Sequence, residues 1–189
     1  MYISFSGVQG SGKSTLANIL YKELRNKYKN EKKIVKFNSI TRKLLIDLDI
    51  NLYELRKNKE GLKVWQYFAL KEHFEQLNKL SKKYDIIIMD RCYIDFLVYT
   101  EMFIGKDYVE KLDSIFKYDI CSYEANSVKF YLEPLNNIDN INDGIRDISC
   151  YSNEIELFGL WKDMFSFIIT SNNIDERINI VMDYLFDEL

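Results

Sequence analysis

Lys13 and Ser14 close the run Gly7-Val8-Gln9-Gly10-Ser11-Gly12-Lys13-Ser14, with the spacing Gly, four residues, Gly-Lys-Ser. That is the signature of a phosphate-binding loop. The chemistry needs these residue types. Gly7, Gly10 and Gly12 let the backbone turn sharply and approach a phosphate with no side chain in the way. Their N–H groups, with the start of the next helix, form a concave nest of donors for an anion. Lys13 adds a mobile positive charge for the outer phosphates, and the Ser14 hydroxyl can ligate the magnesium that travels with them. The phosphate-contacting set is Gly7, Gly10, Ser11, Gly12, Lys13, Ser14 and Thr15.

A second pair of charges ends an apolar run, Ile86-Ile87-Ile88-Met89-Asp90-Arg91. A carboxylate at a strand end beside the loop can hold magnesium, directly or through water, or accept a proton from an attacking oxygen. An arginine there can neutralise charge developing on a transferred phosphoryl group. Ser14 and Asp90 are therefore the metal candidates, and Lys13, Asp90 and Arg91 the catalytic ones. Asp95 lies one helical turn beyond Arg91. It can orient that arginine, touch substrate, or cap the helix start.

The elements that must position these residues alternate strand and helix. Tyr2-Ile3-Ser4-Phe5-Ser6 reads as a strand leading into the loop, and 13–29 as a helix with Leu16, Ile19, Leu20 and Leu24 at helical spacing. Ile34–Phe37 is a second strand, followed by an amphipathic stretch over 42–48 and short helices and loops over 49–61. A long helix spans 62–83. The run 84–90 is apolar without alternation, as expected of a central parallel strand covered on both faces. Helices are expected over 92–104, 107–117 and 151–165, strands over 127–132 and 167–170, and a last helix over 174–185. The pattern predicts an α/β fold: a five-stranded parallel sheet with helices on both faces, in three layers. Right-handed crossovers place the loops after the strands on one edge, and that edge carries the site. We expect one domain over 1–189, with the polar, Asn- and Asp-rich stretch 135–149 as a mobile lid.

Composition narrows the function further. The chain has 189 residues, 47% hydrophobic and 29% charged, which is a folded globular composition. A net charge of −3 argues against general nucleic-acid binding. No apolar run approaches a membrane span and the N-terminal one is only strand-length, so the expected location is cytoplasmic, with no membrane partner. Cys92, Cys121 and Cys150 lack metal spacing and are expected as reduced thiols. The sole histidine, His73, excludes a Ser-His triad and a multi-histidine metal site.

With these residues in hand, the sequence resembles the P-loop nucleoside and nucleotide kinases. Asp90-Arg91-Cys92-Tyr93-Ile94-Asp95 looks like the Asp-Arg-Tyr segment of thymidylate kinases and the Glu-Arg-Ser segment of deoxynucleoside kinases. Trp65-Gln66-Tyr67-Phe68-Ala69-Leu70 resembles the deoxynucleoside kinase helix whose glutamine reads the base. The strand 127–134 looks like the one before their lid, and 168–176 like their last strand and helix, where the adenine loop lies. Asp143-Gly144-Ile145-Arg146 is similar to an Asp-Gly-x-Arg element of the group that includes ribosylnicotinamide kinases and many phage proteins. The resemblance implies a P-loop NTPase fold using ATP and Mg2+. It implies Arg146 as a catalytic lid arginine that swings over the phosphates, and Arg42 and Gln66 as acceptor-binding residues, with Asp95 beside them. Each also has a plainer use: a surface arginine, a solvated helix start, a partly exposed glutamine.

One departure bears on the acceptor. Deoxynucleoside kinases carry a glutamate after the second strand as general base, whereas this chain has Asn38-Ser39-Ile40-Thr41. A nucleoside hydroxyl needs a base; a monophosphate is already an anionic nucleophile. The small-molecule acceptor expected first is thus a (deoxy)nucleoside monophosphate. Val8, Gln9 and Ser11 lack the charges that thymidylate kinases usually carry inside the loop. A nucleoside kinase, acting on a deoxynucleoside or ribosylnicotinamide, is the second reading. A nucleotide-binding switch or regulatory ATPase with a protein partner is the third, although a paired Walker-B carboxylate is missing. A homodimer is left open.

Overall fold

The computed structural model describes residues 1–29, 31–135 and 150–188. The strands are β1 (Tyr2–Ser6), β2 (Ile34–Phe37), β3 (Ile86–Asp90), β4 (Ser127–Leu132) and β5 (Phe167–Ile169). They form one sheet in the order β2-β3-β1-β4-β5, with every pairing parallel. The helices are α1 (Lys13–Tyr28), α2 (Ile40–Asp47), α3 (Leu52–Lys57), α4 (Lys59–Ser81), α5 (Tyr93–Phe103), α6 (Lys106–Ile115), α7 (Lys117–Glu124), α8 (Tyr151–Leu160) and α9 (Ile174–Glu188). A short 3-10 turn, Lys162–Met164, follows α8.

Strand alternation sorts the core into two halves. Ile3, Phe5, Ile86, Ile88, Phe130 and Leu132 point to one face and pack with Leu16, Leu20 and Leu24 of α1 and Ile178, Val181 and Leu185 of α9. Ile87, Met89 and Tyr131 point to the other and pack with α4 to α8, through Leu70, Phe74, Leu97, Leu112, Ile120 and Phe158. The sheet is the middle of three layers, as expected.

Three details differ from the sequence reading. The middle place belongs to β1, with β3 beside it; both are interior strands with helices on both faces, so the stronger hydrophobicity of β3 does not decide which is in the middle. After α6 comes a further helix, α7, which buries only Ile120 and Tyr123 and so carries little periodic signal. The expected helix over 151–165 ends at Leu160 and continues as the 3-10 turn. Arg146, Asp143, Gly144 and all of the proposed lid beyond Leu135 lie outside the described residues. Among the described residues, no helix is long and apolar enough to cross a membrane.

The register places the chemistry. Phe5 pairs with Asp90 and Ser6 with Tyr131, so the loop after β1 and the carboxylate ending β3 emerge side by side, about one strand spacing, ~4.8 Å, apart.

Candidate active site

The loop between β1 and α1 is built on two backbone constraints. Gly7 has φ +135°, and a Cβ there would lie 2.5 Å from the Leu132 carbonyl oxygen of β4. Gly12 caps α1 in the left-handed region, φ 87° and ψ 9°. The first turn of α1 holds no acidic residue, so the positive end of the helix is left for an anion.

Lys13 is 6% exposed. Its Nζ donates to the Val8 carbonyl at 2.6 Å and to Ser11 Oγ at 3.2 Å. Burial, aided by the Arg91 charge, lowers its pKa to about 7, against the pull of Asp90, Asp95 and Glu154. An anion placed beside this ammonium would restore its charge. Ser11 is buried beneath the loop, while Ser14 and Thr15 are exposed on the first turn of α1. The Ser14 hydroxyl donates to Asp90 Oδ2. Two hard oxygen ligands thus meet at the end of the loop, a set that fits Mg2+ arriving with phosphates. Among the described residues no group of three or more His, Cys, Asp or Glu could hold a metal by itself.

Arg91 takes φ 82°, a left-handed conformation that is strained for a non-glycine residue. Three contacts hold it. Its N–H extends the ladder to the Phe5 carbonyl at 3.0 Å. Its Nη1 donates to Asp95 Oδ1 at 2.8 Å, and its guanidinium lies 5.2 Å from the centre of the Tyr99 ring. Burial opposes the Arg91 charge, but Tyr99 and the carboxylates of Asp95, Asp90 and Glu154 outweigh it and raise the pKa. Asp95 is 2% exposed. Its Oδ2 accepts from Ser6 Oγ at 2.5 Å and from the Cys92 N–H at 3.0 Å, the latter being half of a capping box at the start of α5. Of the three uses open to Asp95, orienting Arg91 and capping the helix are both realised.

These groups line a cavity of about 470 Å³. Gln9, Gly10, Lys13, Ser14, Asp90 and Arg91 belong to its lining. So do Lys36 of β2, Arg42 of α2 and Arg56 of α3, with Asn38 and Ser39 between strand and helix and Thr41 in the first turn of α2. Trp65, Gln66, Phe96, Tyr99 and Phe103 supply the walls. Arg42 and Gln66 are therefore brought to the same cavity as the loop. Of Trp65, Tyr67 and Phe68, only Trp65 lines it; Tyr67 and Phe68 are partly exposed. The carboxylates in the lining are Asp90 and Asp95, both already bonded.

Sequence reasoning missed four contributors. Lys36 sits within a strand and Arg56 within a poorly patterned stretch; the Arg56 guanidinium lies 4.3 Å from the centre of the Phe103 ring. Glu154 of α8 is 1% exposed. It accepts from the Gln9 N–H at 3.1 Å, the Gln9 side-chain amide at 3.0 Å and the Tyr99 hydroxyl at 3.2 Å. Arg177 is buried behind the loop. A lysine interrupting an apolar strand was the one available signal, at Lys36; the other three are defined by tertiary contacts.

A parallel sheet with a phosphate loop after its central strand and a Ser–Asp pair at its carboxyl edge defines a P-loop NTPase domain. The chain belongs to the AAA domain family, whose model matches residues 2–165. No curated protein matches it by sequence. Among solved structures it is similar to thymidylate kinase from Ehrlichia chaffeensis, at 19% identity and TM-score 0.71 over 98% of each chain. It is also similar to deoxyadenosine kinase from M. mycoides with dCMP and dCDP bound, at 19% identity and TM-score 0.61 over 99% of this chain and 100% of that one. The same enzyme with bound dATP matches at 18% identity and TM-score 0.60 over 98% and 99%. At these identities the likeness shows a shared fold.

Proposed function

We propose that this protein transfers the γ-phosphoryl group of Mg-ATP to a nucleotide-type acceptor, a (deoxy)nucleoside monophosphate first among them. The observation that carries this reading is the positive charge that the cavity lining holds outside the phosphate loop. Lys36, Arg42 and Arg56 line the cavity together with aromatic side chains and Gln66, and the lining carboxylates among the described residues, Asp90 and Asp95, are engaged by Ser14 and Arg91. Cations beside aromatic walls suit a ligand that is both anionic and flat. Among the described lining residues no carboxylate is left unbonded to act as base toward a hydroxyl, which favours an acceptor that is already anionic. The kinship of fold with thymidylate and deoxyadenosine kinases supports the same class.

In this reading the loop amides and Lys13 hold the β- and γ-phosphates, and Ser14 and Asp90 hold Mg2+, which neutralises charge on the phosphate oxygens. Arg91, fixed by Asp95 and Tyr99, stabilises the group in transit. Arg42, Arg56 and Lys36 hold the acceptor's phosphate, and Gln66 presents a donor and an acceptor to the base edge. The 135–149 segment serves as a lid on the single domain, with Arg146 closing over the phosphates and excluding water. The protein acts in the cytoplasm.

Neutralising the cations tests the assignment. Arg42→Gln and Arg56→Gln should each raise KM for a monophosphate by on the order of tenfold or more, the effect of losing a charge-assisted bond. Unchanged KM in both variants, or equal loss with nucleosides, would move the reading to the nucleoside kinase.

A further inference from the structure

Arg177, in the first turn of α9, is 0% exposed and among the largest fully buried side chains. Its guanidinium donates to three backbone carbonyls: Nη1 to Ser11 at 2.6 Å, Nη2 to Glu133 at 2.8 Å and Nε to Ser171 at 2.5 Å. These carbonyls come from the phosphate loop, the end of β4 and the turn between β5 and α9. Among the described residues no carboxylate pairs with Arg177; the nearby Glu133 side chain is held by Lys162 instead. A buried guanidinium spent wholly on backbone oxygens is fixing backbone, and one of those oxygens belongs to the phosphate nest.

The Ser11 carbonyl shares its peptide with the Gly12 N–H. Among the described residues no peptide bond is cis, so that N–H points away from Arg177, to the opposite side of the peptide. The residues around this peptide are free to swivel: Gly10 and Gly12 both have positive φ, 77° and 87°. A charged donor on the carbonyl removes that freedom. It also polarises the peptide, which makes the Gly12 N–H a stronger donor. The bond to Ser171 ties the same peptide to the turn before α9.

We propose that Arg177 is a positioning residue for the phosphoryl donor. It locks the Ser11–Gly12 peptide with the Gly12 N–H presented to the polyphosphate, and makes the loop a preformed rather than an induced anion site. This rests on the nucleotide-binding reading above. A merely packing arginine would lower thermal stability when replaced and leave polyphosphate affinity unchanged in any variant that folds.

The test is calorimetric titration of the full chain with Mg-ATP and, separately, with inorganic tripolyphosphate. Wild type, Arg177→Lys and Arg177→Gln are compared, with folding verified by circular dichroism. A lysine keeps the charge but cannot reach three carbonyls at once. Both ligands should bind Arg177→Lys at least about tenfold more weakly, and Arg177→Gln more weakly still. Affinity within twofold of wild type in a folded Arg177→Lys overturns the proposal, as does a loss confined to ATP with tripolyphosphate unaffected. Should neither variant fold, backbone 15N order parameters of wild type decide. Values of about 0.85 across 10–14 before ligand is added are expected; values below about 0.6 that rise only with ATP overturn it. A wild type that binds neither ligand overturns the nucleotide reading itself, an outcome distinct from failure of the Arg177 proposal alone.

Discussion

Nucleotide binding should pull a proton onto Lys13. In the free protein, burial lowers the Lys13 pKa to about 7, with Arg91 as the second cause. At pH 8 such an ammonium is only ~10% charged. A polyphosphate beside Nζ favours the charged form; one opposite charge at contact raises a pKa by about 1–3 units, and a triphosphate carries several. Binding at pH 8 should then take up ~0.8 proton per ATP. At pH 6 the lysine is already charged, and its uptake should fall to ~0.1. Titrating Mg-ATP in buffers of different ionisation enthalpy reads this number as the slope of apparent binding enthalpy. The phosphate's own second ionisation, near 6, leaves it little to contribute at pH 8. Lys13→Met should abolish the uptake at pH 8. A zero slope for wild type at pH 8 would refute the reasoning, because it would mean that Lys13 is charged before the anion arrives. The same shift has a sign for folding. The unfolded chain holds this proton up to about pH 10.5 and the folded one only to about 7. Lys13 therefore adds stability to the free protein as pH rises through that window.

His73 offers a second pH test. It is buried among the rings of Phe37, Phe74 and Phe96, its Nε2 has no hydrogen-bond partner among the described residues, and burial lowers its pKa to about 3. Between pH 6.5 and 3 the unfolded chain binds a proton that the folded one refuses, so stability falls by about 1.4 kcal/mol per pH unit from this group. Denaturant unfolding of His73→Phe should lose that slope relative to wild type; an identical slope contradicts it. Gly7→Ala should destabilise strongly, by about 3 kcal/mol or more, because the new Cβ meets β4 backbone 2.5 Å away and φ is positive. Thermal unfolding checks this, and a loss below ~1 kcal/mol would mean that β4 yields more easily than a sheet strand should.

Much of this site was legible because its chemistry is local. The glycine spacing of 7–14 and the charged pair ending an apolar run are complete patterns within a few residues, and the sheet edge brings them together. Strand identity was legible too, since 2–6, 34–37, 86–90 and 127–132 are short apolar runs bounded by polar ones. Strand order was not: β3 is the more apolar run, yet β1 takes the middle place, which only long-range pairing decides. The least legible residues are those defined by a partner far along the chain. Glu154 reads as one more acid on a helix until Gln9, 145 positions away, closes on it. Arg177 reads as a surface base until Ser11, 166 positions away, takes its Nη1. Asp95 could be placed one turn from Arg91, but its bond to Ser6 could not.

The central claim is phosphoryl transfer to a small acceptor, and ADP release from Mg-ATP tests it most directly. The panel is ribo- and deoxynucleoside monophosphates, the matching nucleosides, ribosylnicotinamide and a no-acceptor control, with Lys13→Ala in parallel. The account predicts strong stimulation by one monophosphate and a fall of on the order of a hundredfold in folded Lys13→Ala. Stimulation by nucleosides alone would contradict the monophosphate assignment. ATP turnover indifferent to every acceptor, or near-normal turnover in Lys13→Ala, would contradict the kinase reading.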